Sequence, residues 1–179
     1  MSPDVLLPIV VFFALGVPIV VLLWRIFVVG GQIRREAQQS RTAVDIARRA
    51  DASISELATA VDGLRRRKAG PDSISPSLEA SGDALKRCVQ EAEAVDKRLS
   101  ARGDDGLAVE IERAQRAVEL ISHGRTLMAD SSGSGASEGE TSVKRGYLNL
   151  LHAREAIRER AQAIVNYVHY HIKFGYQPG

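Results

Sequence analysis

The 179-residue chain has a single cysteine, Cys88, so no disulfide can form within it. That fits a reducing compartment. Aromatic residues are few, with one Trp, four Phe and four Tyr. No stretch alternates apolar and polar side chains as a half-buried strand does. Neither sign of charge dominates: 24 Lys and Arg stand against 22 Asp and Glu, for a net charge of +2. Such a balance gives no ground for a polyanionic partner, and nucleic acid is not expected. The glycines at 133–139 lie among serines without a Gly-Lys-Ser, which excludes a phosphate-cradling loop. No Cys/His or Ser/His/Asp set has local support. The reading is therefore not an enzyme, with no cofactor.

What is present is a long apolar run. Val5 to Trp24 reads VLLPIVVFFALGVPIVVLLW, without one charged side chain, and Ile26 to Val29 extends it. At about 1.5 Å per residue, twenty helical residues match the roughly 30 Å hydrocarbon core of a bilayer. A cleaved signal peptide is the rival, but MSPD carries no Lys or Arg and no Ala-x-Ala follows. The expectation is a transmembrane helix over 5–29 after a short external N-terminus, 1–4. Pro8 and Pro18 inside it suggest a kink. Arg25, Arg34, Arg35, Arg41, Arg48 and Arg49 all follow the run, so the positive-inside rule places the C-terminal part in the cytoplasm of a single-pass cell-membrane protein.

Beyond Gly31 the composition favours helix. Breaks at 69–77, 102–106 and 130–142 leave helices at about 32–68, 76–101, 105–129 and 143–173, with a flexible Gly/Ser linker over 130–142 and a tail at 174–179. The first carries Ile33, Ala37, Ser40, Val44, Ala47, Ile54, Leu57, Val61 and Leu64, with a slip near Asp51. Ser75-Pro76 reads as an N-cap and first helical residue for the second. Its Leu78, Ser81, Leu85, Cys88, Ala92, Val95 and Leu99 keep a strict 3–4 repeat. The third starts after Asp104 or Asp105, with Leu107, Ile111, Ala114, Val118, Ile121 and Met128 on one face. The fourth carries Tyr147, Leu150, Ile157, Ala161, Ile164 and Val168, interrupted by Arg154. The fold class is all-α: a single N-terminal transmembrane helix followed by an antiparallel four-helix bundle over 32–173. A coiled-coil oligomer is the alternative, because single seams also pair between chains.

Several side chains invite a site. His169 and His171 are two apart and do not share a helical face. Glu119 with His123, and His152 with Glu155, have workable spacing, and the four would meet if the third and fourth helices were neighbours. Flanking apolar seams, such residues are ordinarily a solvated ion pair, so the reading is no metal. Cys88 sits on an apolar seam as a small hydrophobe. Arg65 to Lys68 reads as a cap complementing a helix C-terminus. At a membrane interface we expect Trp24, Arg25, Arg34 and Arg35, joined from the returning C-terminus by Tyr170, Lys173, Phe174 and Tyr176.

Arg48-Arg49-Ala50-Asp51 resembles the Arg-Arg-x-Asp stretch of the LemA family, whose members have a short outer N-terminus, one span and a cytoplasmic helical bundle. Leu57, Val61 and Gly63 resemble the continuation with one residue inserted, and Tyr147-Leu148-Asn149 is similar to its Tyr-Asn pairs. Gly30-Gly31-Gln32 stands where the family has Tyr-Asn. The resemblance implies an anchored helical protein and no particular chemistry. The function expected is a membrane-anchored helical adaptor or scaffold, contacting the lipid bilayer and binding a partner protein or a second copy. The alternatives are a membrane-stress or signalling module, or an accessory subunit of a larger membrane complex.

Overall fold

A computed structural model describes residues 3–66, 70–99, 106–130 and 134–174, with side chains from Ile19 onward except at some stalk positions and helix ends. The elements are α1 (Pro3–Arg65), a 3₁₀ turn (Pro71–Ile74), α2 (Ser75–Leu99), α3 (Leu107–Asp130) and α4 (Ser134–Phe174). Each helix packs on its neighbour in sequence, and α1 closes the ring against α4. Cross-helix pairs run in opposite directions along each interface. Arg49 meets Glu91 while Ser53 meets Ser81, and Asp51 meets Arg154 while Arg65 meets Tyr147. The bundle is thus antiparallel, up-down-up-down.

Its core is built by heptad spacing. In α2, Leu78, Ser81, Leu85, Cys88, Ala92 and Val95 are all buried, as the 3–4 repeat predicts, and the side chain of Leu99 lies outside the described residues. In α1 the buried set is Ser40, Ala43, Ala47, Ala50, Ile54, Leu57 and Val61, flanked by Ile46 and Ala58. That repeat is unbroken, so the slip expected near Asp51 does not exist. It arises from assigning Val44 to the seam, where Ala43 and Ala50 belong. Ile74 is buried although it lies in a Pro/Ser-rich break, and its short turn packs against α1, α2 and α3. Ser75 is already helical, at φ −54 and ψ −51, and so is not the N-cap expected of it. The start of α3 is held from another helix: Asp96 Oδ2 accepts the Ala108 N–H at 2.8 Å.

The linker expected over 130–142 is helical from Ser134. Its glycines are packing residues. Gly139, Val143, Gly146, Leu150, Ala153 and Ile157 form a buried heptad seam on α4. A Cβ at Gly139 would stand 2.6 Å from the Gly124 carbonyl oxygen, and one at Gly146 would stand 2.7 Å from Ile121 Cγ1. Helices α3 and α4 therefore approach backbone to backbone, and glycine is what permits it.

Among the described residues, no helix is long and apolar enough to cross a membrane. The expected transmembrane helix over 5–29, and the single-pass cell-membrane placement and orientation built on it, are corrected on that finding. Among the described side chains, the apolar run that begins at Ile19 is broken by Arg25. Positions 5–18 of the expected span lie outside the described side chains. Nor does α1 restart at residue 32. It continues through Gly30 and Gly31, where nothing lies within 4 Å of either position.

The glycine contacts generate a paired prediction. Ala is the better helix former by about 1 kcal/mol, so Gly82→Ala, whose Cβ would meet only Val118 Cγ1 at 3.9 Å, should stabilise the fold. Gly139→Ala should destabilise it by roughly 1–3 kcal/mol, as overpacking does. Urea unfolding midpoints at constant m-value distinguish the two. Equal upward shifts would contradict the close helix contact.

Candidate functional site

Asp51 lies beside Ala50 on α1, at the edge of the seam and one-quarter exposed. Two arginines of α4, four residues apart on one helical face, converge on it. Arg154 Nε donates to Oδ1 at 2.7 Å; Arg158 donates from Nε to Oδ1 at 2.8 Å and from Nη2 to Oδ2 at 3.1 Å. Burial by itself would raise the Asp51 carboxyl. The hydrogen bonds and charges of Arg154 and Arg158 outweigh it and hold the group below its ordinary value.

Two residues earlier, Arg49 forms a two-pronged ion pair with Glu91 of α2, including an Nη1 to Oε1 bond of 3.1 Å. Its hydrogen bond to Arg49 is the largest influence on Glu91 and holds that carboxyl low. Residues two apart on a helix point about 200° apart. Arg49 and Asp51 therefore reach opposite neighbours, and α1 is clasped to α2 and α4 at one level. The pairs make up the Arg48-Arg49-Ala50-Asp51 stretch, with Ala50 buried between them. The chemistry here is that of fixed ion pairs, which hold helices and do not move protons.

A second feature lies at the other end of the bundle. The last turn of α1, the end of α3 and the early turns of α4 enclose a cleft of about 570 Å³. Leu64, Met128 and Val143 give it an apolar floor. Asp62, Arg65, Arg66, Glu140 and Lys144 line the rest. Arg66 is bound to Asp62 at 2.8 Å, and the Arg65 guanidinium lies over the Tyr147 ring, 4.9 Å from its centre.

The residues singled out from sequence are dispersed. Glu119, His123, His152 and Glu155 are all exposed, and among the described residues no group of three His, Cys, Asp or Glu could hold a metal ion. Cys88 is buried, and burial pushes its thiol up, away from the reactive thiolate. Trp24, Arg25, Arg34 and Arg35 are exposed on α1, whereas the side chains of Tyr170, Lys173, Phe174 and Tyr176 lie outside the described residues. Of the basic run, Arg65 lies in the last turn of α1 and Arg66 directly follows it, and 67–68 lie outside the described residues.

The clasp was not anticipated, although its two halves are visible as anomalies: an apparent slip beside Asp51 and an interruption at Arg154. Each is a charged residue at a seam edge, and the two are partners. Comparison with protein families, with curated proteins and with solved structures finds no match to this chain.

Asp51→Asn should cost about 2 kcal/mol, between an exposed ion pair and a buried one. The pH dependence has a definite sign. Because the Asp51 carboxyl is held low, its contribution is fully present above the unfolded value of about 3.9 and is lost as pH falls through the folded value. Unfolding free energies of the native chain and Asp51→Asn should stay apart at pH 6 and draw together as pH falls below the unfolded value. Parallel curves across that range would show that the clasp contributes nothing.

Proposed function

We propose that this chain is a non-catalytic helical adaptor or scaffold that binds a partner protein through its helical faces. The observation that carries the reading is the stretch of α1 from Ile19 to Val28. Ile19, Val20, Val21, Leu22, Leu23, Trp24, Phe27 and Val28 are all exposed, with Phe27 at 83%. Among the described side chains of α1, Ser40 is the first that is buried, roughly 20–30 Å along the helix from Ile19 to Val28. Ile19 to Trp24 are six consecutive apolar residues that cover the whole circumference of the helix, and an exposed apolar surface of this kind marks an interaction site. The bundle would be the rigid body that the partner receives, and α1 the arm that presents it.

A second reading, a signalling module, is favoured by one observation. Arg49 and Asp51 fix α1 to two different helices at the same level. A change imposed on the arm then meets the bundle at a defined point.

A photo-activated crosslinking side chain at position 27 of the full-length chain, irradiated in its native cells, tests the adaptor reading. A discrete adduct of fixed mass is expected there, and none from the same group at Glu93 on the exposed face of α2. Identical behaviour at both positions, or no adduct at 27, would overturn it.

A further inference from the structure

We propose that the cleft at the end of the bundle farthest from Ile19 binds a small amphipathic carboxylate, with its apolar body on Leu64, Met128 and Val143 and its head group at Arg65 and Lys144. The volume of about 570 Å³ lies inside the roughly 300–1,000 Å³ range of small-molecule sites. Its floor continues the core. Val143 is buried, and Leu64 and Met128 pack against the core cluster, so an apolar ligand body would extend an existing hydrophobic surface.

The polar side of the cleft is not charge-matched. Asp62 is taken by Arg66 in an i, i+4 pair. That leaves Arg65 and Lys144 facing Glu140, and among the described residues no carboxylate lies within ion-pair distance of either cation. The Arg65 guanidinium lies over the Tyr147 ring, and its five N–H donors suit a carboxylate. One ligand carboxylate between the two cations would balance the site. A neutral ligand of the same shape would leave the excess charge unanswered, so the head group, and not the apolar body alone, sets the preference.

The test is a titration of the isotope-labelled full chain with decanoate, followed by backbone amide signals, with decanol as the neutral comparison. Saturable shifts are expected at Leu64, Val143 and Lys144 with decanoate and not with decanol. The double variant Arg65→Gln, Lys144→Gln, both on surface side chains, should weaken binding at least tenfold. Met128→Trp should abolish it by filling the floor, and Arg113→Gln, on another face, should leave it unchanged. Equal responses to decanol, shifts confined to the exposed apolar residues 19–28, or full affinity in the double variant would each overturn the proposal.

Discussion

Asp51 sets how α1 sits against the rest of the bundle. On the N-terminal side of it the α1 seam carries Ala43, Ala47 and Ala50, all buried, before Ile54, Leu57 and Val61 take over. Alanines present nearly identical knobs at successive heptads, and hydrophobic contact is non-directional. Within that alanine stretch one knob resembles the next, so shape there does little to fix the position of α1. Ion pairs discriminate where alanine does not. Arg154 and Arg158 reach one carboxylate from α4, and Glu91 reaches Arg49 from α2. A shift of one turn, about 5.4 Å, breaks both sets at once. A polar contact that fixes register is among the better-attested uses of such groups.

The other half of the bundle solves the same problem by shape. Gly124, Gly139 and Gly146 bring α3 and α4 so close that a Cβ at any of them would strike the facing helix at 3 Å or less. Register is then enforced sterically, because sliding would drive Val143 or Ile121 into a facing backbone. Glycine carries a cost of about 1 kcal/mol per helix-interior position, which close packing of the two backbones offsets. Helices α3 and α4 consequently make the most extensive contact in the fold. The two ion-paired interfaces of α1 are looser and more polar.

This division explains what was legible in the sequence. The seam of α2 reads correctly from Leu78 to Val95 because its buried positions, Ser81 apart, carry Leu, Val, Cys and Ala against charged neighbours. The seam of α1 does not, since Val44 outcompetes Ala43 on hydrophobicity while geometry favours the alanine. The start of α4 looks like a linker because Ser and Gly usually signal flexibility. In a close helix pair the same residues are the contact surface. Ile74 is hidden among turn residues, and the Asp96 cap on α3 is a contact between helices that no local motif announces. The apolar run is visible as hydrophobicity, but hydrophobicity alone does not determine what it meets. Among the described residues no helix is long and apolar enough to cross a membrane.

The scaffold and signalling readings differ in one thermodynamic quantity. A partner on the exposed apolar arm of α1 shifts the bundle only through its differential affinity for clasped and unclasped states, however tightly it binds. A micromolar complex represents about 8 kcal/mol, several times the roughly 2 kcal/mol assigned to Asp51 on the ordinary scale of charged hydrogen bonds. Opening is therefore energetically within a partner's reach. It happens only if the bound arm has to rotate or slide. Arg49 and Asp51 oppose both motions, because rotation that relieves one ion pair strains the other. A partner that grips α1 without turning it would leave the bundle unchanged and make this chain a passive arm. One that turns it must break a pair on α2 or on α4, and the distinction between scaffold and switch reduces to that torque.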